Sequence, residues 1–155
     1  MSNVNHGYSI KGLKTWETRD GGGYTCKLLL NGKAVAECED GGYGGGVIVD
    51  FKDSNRREEF YAFLKTLPEQ TFPEDMGGGS YSVCDDIFLG GMVDEERNNR
   101  RFKRLCKTKT LFSIQGDDPA EGFRTINKPY SPEIQTYLDN KYGTQVTEIV
   151  NKRFI

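Results

Sequence analysis

The chain has 155 residues, of which 35 % are hydrophobic and 12 % aromatic, and its formal net charge is −2. At this length we expect a single domain, residues 1–155, with a core that depends on Phe and Tyr rings. No run approaches the roughly 18 apolar residues that span a membrane, and residues 1–6 lack a signal pattern, so we expect a cytoplasmic protein.

The cysteines predict reduced, structural thiols and no metal site. There is no Cys-x-x-Cys pair, and His6 is the single histidine, so the usual zinc-ligand spacing is absent and we expect neither metal nor cofactor. A hairpin that turns at Asn31-Gly32 without irregularity puts Cys26 and Cys38 one position out of register. Their thiols then point to opposite faces of the sheet, which disfavours a bridge.

The first half of the chain predicts an antiparallel sheet followed by a helix. Asn31-Gly32 is a type I′ hairpin signal, and the glycine run 21–23 predicts a break between strands. Ser54 is the predicted N-cap of a helix to residue 67, which Pro68 ends, and a loop follows. The predicted strands span residues 9–18, 24–30, 33–39 and 47–51, the helix has an apolar stripe at Phe60, Phe63, Leu64 and Leu67, and the loop spans residues 68–80.

The second half predicts helices and strands in the order of an α+β fold. A short helix over residues 81–89 is expected to break or bend at Gly90-Gly91, and Asp94 is the predicted N-cap of a helix to residue 106. Further elements are strands over residues 108–115, 123–127 and 146–154, and a helix over residues 131–142 capped by Ser131. The predicted fold is therefore an N-terminal antiparallel sheet with helices packed on it and a C-terminal strand-helix-strand region.

Positive charge is concentrated in residues 97–109, which carry seven Lys or Arg and no Asp or Glu, against a formal charge of −9 for the rest. Such a focus raises the local concentration of anions. On the predicted helix Phe102, Leu105 and Cys106 face the core, and the same stripe continues back to Asn98 or Asn99 and then to Glu95. Polar side chains on a core-directed stripe need partners or line a cavity, so Asn99 and Glu95 are candidates for lining a site.

Basic side chains at helical spacing suggest how a small anion is held. Four of them lie at i, i+3, i+4 and i+7 on neighbouring faces, where Arg and Lys can grip the two phosphates of one ligand. The alternative, a solvated helix face that pairs with acids elsewhere, stays open. The predicted ligand-binding residues are Arg100, Lys103 and Arg104 for phosphates, Asn99 for ribose or base, and Lys107, Lys109 and Arg124 to complete the pocket.

Other functional classes find less support. A nucleic-acid binder is generally basic, whereas this chain has a pI near 5.5 and shows no RNA-recognition or zinc-knuckle motif. Catalysis is left uncertain but is not favoured, because one terminal histidine gives no triad. Three acidic pairs remain as the enzyme alternative, with too few converging ligands for a metal-dependent phosphodiesterase: Asp85-Asp86, Glu95-Glu96 and Asp117-Asp118.

Two glycine-rich features have two interpretations each. The loop over residues 40–46 is either a backbone cradle or lid for a phosphate, or a wide hairpin loop that needs positive φ. Trp16 and Tyr24 flank the glycine run 21–23, where exposed rings could stack on a base and buried rings would belong to the core.

Short motifs along most of the chain resemble a group of small phage proteins. They are Gly-Leu-Lys-Thr-Trp at 12–16, Asn-Gly-Lys at 31–33 with the acidic glycine loop, the aromatic helix, the block 102–112, Pro-Tyr-Ser-Pro at 129–132 and Lys-Tyr-Gly at 141–143. The layout is similar to that of phage anti-defence sponges of the Thoeris anti-defence type. The resemblance implies a homo-oligomer that binds cyclic ADP-ribose isomers or cyclic oligonucleotides and silences bacterial immune signalling. It transfers no ligand residue onto a numbered position here.

The sequence thus predicts a non-catalytic phage protein that sequesters a small nucleotide signal in the host cytosol. The main alternative is an inhibitor that docks on a host defence or nucleic-acid-processing enzyme.

Overall fold

The structure, a computed structural model, has the predicted α+β class and describes residues 6–155. The prediction that residues 1–6 carry no signal pattern falls mostly on residues 1–5, which lie outside the described residues. The chain divides into two compact units, Met1–Asp94 and Glu95–Ile155. The prediction of one domain over residues 1–155 stays a prediction. No helix in the described part of the chain is long and apolar enough to cross a lipid bilayer.

The first unit contains a four-stranded antiparallel sheet whose strands neighbour one another in chain order. The predicted Asn31-Gly32 turn is confirmed, with φ of 50° and 84°, the two positive values that a type I′ turn requires. The predicted break between the first two strands falls at Arg19-Asp20, and the glycine run 21–23 that was predicted to form it instead opens the second strand. Gly23 pairs with Trp16, and a Cβ there would lie 2.4 Å from the indole Nε1, so only glycine fits. The strands are β1 Tyr8–Thr18, β2 Gly21–Leu30, β3 Lys33–Asp40 and β4 Ile48–Phe51.

A β-bulge in β3 overturns the predicted register of the hairpin. Leu29 pairs with Ala34 but Leu28 pairs with Ala36, so Val35 is the extra residue. The shift brings Cys26 directly opposite Cys38, and both are free, core-facing thiols. The prediction that these thiols lie on opposite faces is therefore wrong.

Helix α1, Ser54–Thr66, is capped one residue earlier than predicted. The carboxylate of Asp53, rather than the Ser54 hydroxyl, accepts hydrogen bonds from the backbone N–H groups of Asn55 at 2.7 Å and Arg56 at 3.3 Å. The predicted apolar stripe is confirmed, since Phe60 and Leu64 are buried and Phe63 and Leu67 pack against the same core.

Aromatic rings supply much of the core of the first unit. Phe60 lies between the rings of Tyr8 and Phe51, at centroid distances of 5.2 and 5.5 Å. The ring of His6, the single histidine, packs 5.1 Å from the ring of Phe63. Within the predicted loop 68–80 the chain forms a short hairpin of β5, Gln70–Thr71, and β6, Ser80–Tyr81.

Helix α2, Asp85–Leu105, is continuous, so the predicted break at Gly90-Gly91 and the predicted cap at Asp94 are wrong. Leu89, Met92 and Val93 are buried on its inner side. Each such side chain gains about 1.5–3 kcal/mol on burial, whereas a helical glycine costs about 1 kcal/mol relative to alanine. Packing on both sides of the glycines therefore outweighs their low helix propensity.

The second unit contains a three-stranded sheet with one helix packed on it, and the first of these strands along the chain lies in the middle. The predicted capping of the helix by Ser131 is confirmed, since its Oγ accepts a hydrogen bond from the N–H of Ile134 at 3.3 Å. The predicted last strand is too long, because it ends at Ile149 and residues 150–154 form a 3-10 helix that buries Asn151. The elements are β7 Thr110–Ile114, β8 Arg124–Ile126, α3 Pro132–Lys141 and β9 Val146–Ile149.

Candidate anion-binding site

The two units have opposite formal charge. The unit Glu95–Ile155 holds twelve Lys and Arg against eight Asp and Glu, a net of +4, and Met1–Asp94 holds nine against fifteen, a net of −6. The basic stretch 97–109 contributes seven of the twelve cations. An anion is therefore attracted to the second unit and repelled by the first.

Two of the predicted residues, Lys103 and Lys107, line one cavity of about 290 Å³ in the second unit. The ring of Tyr130 is a third wall, and the ammonium group of Lys152 lies 6.0 Å from the centre of that ring. Within residues 6–155, neither Lys103 nor Lys107 forms an ion pair with a carboxylate. The cavity thus combines two lysines that have no carboxylate partner in the described chain with the aromatic ring of Tyr130.

Asn151 anchors the inner side of this cavity. Its side chain is only 5 % exposed, and its Oδ1 accepts a hydrogen bond from the N–H of Leu111 at 2.9 Å. Its Nδ2 donates to the carbonyl oxygens of Lys109 at 2.8 Å and Cys106 at 3.4 Å. These bonds hold the segment that follows α2 against β7, so Asn151 positions the lysines on that segment. Sequence reasoning missed this residue because nothing in its neighbourhood distinguishes it from a strand residue.

Two other predicted residues already have carboxylate partners. Arg100 pairs with Glu96, one turn earlier on α2, through an Nε–Oε1 distance of 3.1 Å. Arg124 donates from Nε and Nη2 to the Asp117 carboxylate at 3.0–3.2 Å. The Arg124 guanidinium, with the N–H of Ile114, lowers the pKa of the Asp117 carboxyl below its usual value. For these two arginines the structure favours the alternative of charges that pair with nearby acids.

The remaining predicted residues are dispersed around the same helix and strand. Arg104 is exposed, whereas Asn99 and Lys109 are half-buried. The side chain of Glu95 is exposed, so its predicted inward orientation is wrong, while Asn99 does lie on the partly covered side of the helix. Of the seven predicted residues, the structure therefore brings only Lys103 and Lys107 to a common cavity.

An unpredicted cation site fastens the C-terminal segment to α2. The guanidinium of Arg153 lies 5.9 Å from the ring centres of both Phe102 and Phe123, whose rings meet edge to face at 5.5 Å. Arg153 also pairs with Glu148, its Nη2 lying 2.5 Å from Oε2. Cation–π contacts of this kind keep the segment next to Lys103 in place, and Arg153 is occupied as a structural residue.

The acidic pairs behind the enzyme alternative have structural partners. Asp85 accepts a hydrogen bond from the Tyr61 hydroxyl at 2.9 Å, and Asp86 accepts one from the N–H of Val47 at 3.0 Å. Asp118 caps a short 3-10 helix by accepting a hydrogen bond from the N–H of Ala120 at 2.9 Å. In the part of the chain that the structure describes, no group of three or more His, Cys, Asp or Glu side chains is placed to hold a metal ion.

A larger concavity of about 720 Å³ lies on the outer face of the first sheet and is less suited to an anion. Its walls include Lys14 and Lys27, but also the carboxylates of Glu37, Glu39 and Asp50. Glu37 and Asp50 are direct cross-strand neighbours, so two like charges face each other there. Although this space is larger, a phosphate would meet more negative than positive charge in it.

The glycine loop beside this sheet is fastened at several points. The Asp40 carboxylate accepts a hydrogen bond from the N–H of Gly42 at 2.8 Å, and the indole N–H of Trp16 donates to the carbonyl oxygen of Gly41 at 3.3 Å. The Thr18 hydroxyl donates to the carbonyl oxygen of Gly42. These contacts favour a plain loop over a phosphate cradle. Of the two flanking rings, Trp16 is 37 % exposed and Tyr24 is buried, as a core residue would be.

No protein-family model, curated protein or solved structure matches this chain. The fold and the site define an α+β protein with a lysine-lined cavity in its C-terminal unit. The resemblance to phage anti-defence sponges stays a prediction, and the case for ligand binding depends on the cavity itself.

Proposed function

We propose that this protein binds and sequesters a small phosphorylated nucleotide, without catalysis, in the cavity lined by Lys103 and Lys107. One observation carries the proposal: two lysines without carboxylate partners in the described chain meet beside the Tyr130 ring. In the sponge hypothesis the ligand is a cyclic ADP-ribose isomer or a cyclic oligonucleotide, and the protein is a phage protein that acts in the host cytosol.

The chemistry of the cavity suits a nucleotide. Lysine ammonium groups bind phosphate as point charges, and both Lys103 and Lys107 are exposed, where a ligand can reach them. The face of Tyr130 can stack on a base, and Lys152 beside it adds positive charge where the phosphate would lie. Asn151 keeps the lysine-bearing segment in position, so the site is largely formed before the ligand arrives.

The size of the cavity bears on the oligomeric state. Ligand pockets typically span roughly 300–1,000 Å³, and the cavity of about 290 Å³ falls just below that range. One copy therefore has room for a phosphate with its sugar or base but not for a whole cyclic dinucleotide. We propose that a second copy completes the site, in agreement with the homo-oligomer that the resemblance implies.

Charge supports a small ligand over a long nucleic acid. A polyanion that reached beyond the unit with a net of +4 would meet the unit with a net of −6. A compact anion with two phosphates avoids that repulsion. The structural partners of the acidic pairs and the packing of His6 on Phe63 support sequestration without turnover.

Calorimetry of the wild-type protein against cyclic ADP-ribose isomers and cyclic di- and trinucleotides tests the proposal. Heat from at least one of these ligands is expected, and the double variant Lys103→Ala/Lys107→Ala is expected to lose it. A matched control, Lys33→Ala/Lys65→Ala, removes two exposed lysines from the acidic unit and is expected to bind normally. If folded wild-type protein gave no heat of binding with any of these ligands, the proposal would be ruled out.

The fate of the ligand separates a sponge from an enzyme. After the complex is heated, mass spectrometry of the released small molecule is expected to recover the ligand intact. Recovery of a hydrolysed or rearranged ligand would contradict the sponge hypothesis and support the enzyme alternative.

A second candidate, docking on a host protein, is favoured by one surface of the first unit. Tyr43, in the middle of the glycine loop, is 73 % exposed, and Ile48, the first residue of β4, is 70 % exposed and pairs across the sheet with the exposed acid Glu39. Exposed apolar side chains with acids around them suit a basic partner. Pull-down from infected cells with wild-type protein and with Tyr43→Ala/Ile48→Ser tests it, and equal capture by both would rule this surface out.

A further inference from the structure

The β-bulge at Val35 creates a cross-strand cysteine pair that the sequence pattern hides. Cys26 of β2 and Cys38 of β3 are direct partners in the antiparallel register. Both side chains belong to the core, where Cys26 is 5 % and Cys38 is 2 % exposed, and both thiols are free. Neither cysteine contributes to the proposed ligand cavity, which lies in the other unit.

The backbone geometry of such a pair is compatible with a bridge. Directly opposed residues in an antiparallel sheet have Cα atoms about 4.5–5.5 Å apart, within the range of about 4.4–6.8 Å found in disulfides. Their Cβ atoms lie about 4.5–5.5 Å apart and need to approach by at most about 1 Å to reach the usual disulfide spacing. In the register predicted from sequence, by contrast, position 26 would face Glu37, and the two thiols would never meet.

We propose that Cys26 and Cys38 are a redox modification site, which a hydroperoxide oxidises to an intramolecular disulfide that joins β2 to β3. The neighbouring Cys26 thiol, followed by burial, raises the pKa of the Cys38 thiol.

The reaction balances with the hydroperoxide as the only co-reactant. Written with Cys26 as the attacking thiolate, its sulfur bonds to one peroxide oxygen, the O–O bond breaks, and the departing alkoxide takes up a proton to leave as an alcohol. The sulfur of Cys38 then attacks the sulfenic acid on Cys26, the S–O bond breaks, and water leaves with the thiol proton. Two thiols lose two hydrogen atoms, and the hydroperoxide is reduced to an alcohol and water.

Access to the pair requires a local opening of the sheet. β4 has four residues and pairs its Val49 with Cys38, and within residues 6–155 no further strand of this sheet lies beyond it. Short edge strands open at a lower free energy than the global unfolding transition. Oxidation of the pair is therefore slower than that of the exposed thiol of Cys84.

The test removes the two other cysteines, so that only the pair can react. The variant Cys84→Ser/Cys106→Ser is incubated with hydrogen peroxide under native conditions and analysed by intact mass and non-reducing peptide mapping. The expected product is a monomer that has lost two hydrogen atoms, is linked Cys26–Cys38, recovers both thiols with dithiothreitol, and melts at a higher Tm than the reduced form. Free thiols, sulfinic acids or disulfide-linked dimers as the only products would overturn the proposal.

A register control makes the test specific to the bulge. In the same background, Glu37→Cys/Cys38→Ser moves the second thiol by one residue to the position that the regular register would place opposite Cys26. The structure puts residue 37 on the exposed face, so this variant is expected to form the internal disulfide at least tenfold more slowly. Equal rates in the two variants, with the same far-UV circular dichroism, would show that the disulfide reflects a mobile hairpin, and would contradict the proposal.

Discussion

A single buried amide, Asn151, joins three segments of the C-terminal unit. Its Oδ1 accepts a hydrogen bond from the N–H of Leu111, and its Nδ2 donates to the carbonyl oxygens of Lys109 and Cys106, with donor–acceptor distances of 3.4 Å or less. Replacement by alanine would leave a buried donor and at least one buried acceptor unsatisfied, each of which costs about 1–3 kcal/mol. We expect Asn151→Ala to lower the free energy of unfolding by about 2–5 kcal/mol, measured by urea denaturation.

The matched control for this prediction is Asn140→Ala, because Asn140 is exposed on α3. That change should alter the free energy of unfolding by less than about 0.5 kcal/mol. If the two variants were equally stable, Asn151 would not connect the segments in the way described.

The ion pair of Asp117 with Arg124 predicts a pH-dependent contribution to stability. The guanidinium, followed by the N–H of Ile114, lowers the pKa of the Asp117 carboxyl. A lowered folded-state pKa stabilises the protein above the unfolded value, about 3.9, and this contribution is lost as pH falls through the folded value. The urea midpoints of wild type and Asp117→Asn should therefore differ from neutral pH to about pH 5 and converge below about pH 4.

Glu121→Gln controls for the loss of a carboxylate as such, since Glu121 is exposed and has no ion pair in the described chain. Its midpoint should stay close to that of the wild type. A gap for Asp117→Asn that persisted unchanged into strong acid would contradict the assigned role of the ion pair.

At the scale of elements, helix α2 gives the clearest test of the fold. A Cβ added at Gly90 or Gly91 meets no heavy atom within 4 Å, and neither residue has a positive φ. In a continuous helix each change to alanine should raise the free energy of unfolding by about 0.5–1 kcal/mol and leave the far-UV circular dichroism at least as helical. Urea denaturation of Gly90→Ala and Gly91→Ala measures this effect.

A glycine with positive φ is the appropriate control. Gly116 has φ of 91°, so Gly116→Ala should destabilise the protein although its Cβ also meets open space. Loss of stability in both helical variants would instead indicate the bend at Gly90-Gly91 that the sequence predicts.

Local signals in the sequence were sufficient for some elements and not for others. The Asn31-Gly32 turn and the Ser131-Pro132 helix start were predictable because turn and cap chemistry is determined by residues next to each other. The continuity of α2 was not, because it depends on burial of Leu89, Met92 and Val93 against distant parts of the chain. The bulge at Val35 has no local signal either, since both it and its neighbour Ala36 are ordinary strand residues that become buried.

The candidate site was predictable in part. Charge density pointed to residues 97–109, and helical spacing selected the set that contains Lys103 and Lys107. The sequence could not predict which of those cations lack a carboxylate partner, because the partners of Arg100 and Arg124 are determined by helix and strand geometry. Tyr130 and Asn151 join the site through the tertiary fold alone.

At the scale of the whole molecule, the division of charge is the central feature. The acidic unit and the basic unit differ by ten formal charges, −6 against +4, and the candidate cavity lies in the basic one. This distribution favours a compact anion that contacts only the second unit. It also predicts that added salt weakens binding, because exposed lysines contribute much of the attraction.

Titration calorimetry of Lys103→Ala/Lys107→Ala beside Lys33→Ala/Lys65→Ala, with the nucleotide that the wild type binds, tests the account most directly. Each charge-assisted contact to phosphate contributes about 1.5–3 kcal/mol, so the cavity variant should lose affinity by about 100-fold or more. The control variant has the same net charge and should stay within about threefold of the wild type. Equal losses of affinity in the two variants would show that net charge alone attracts the ligand. Unchanged affinity in the cavity variant would show that the ligand binds elsewhere.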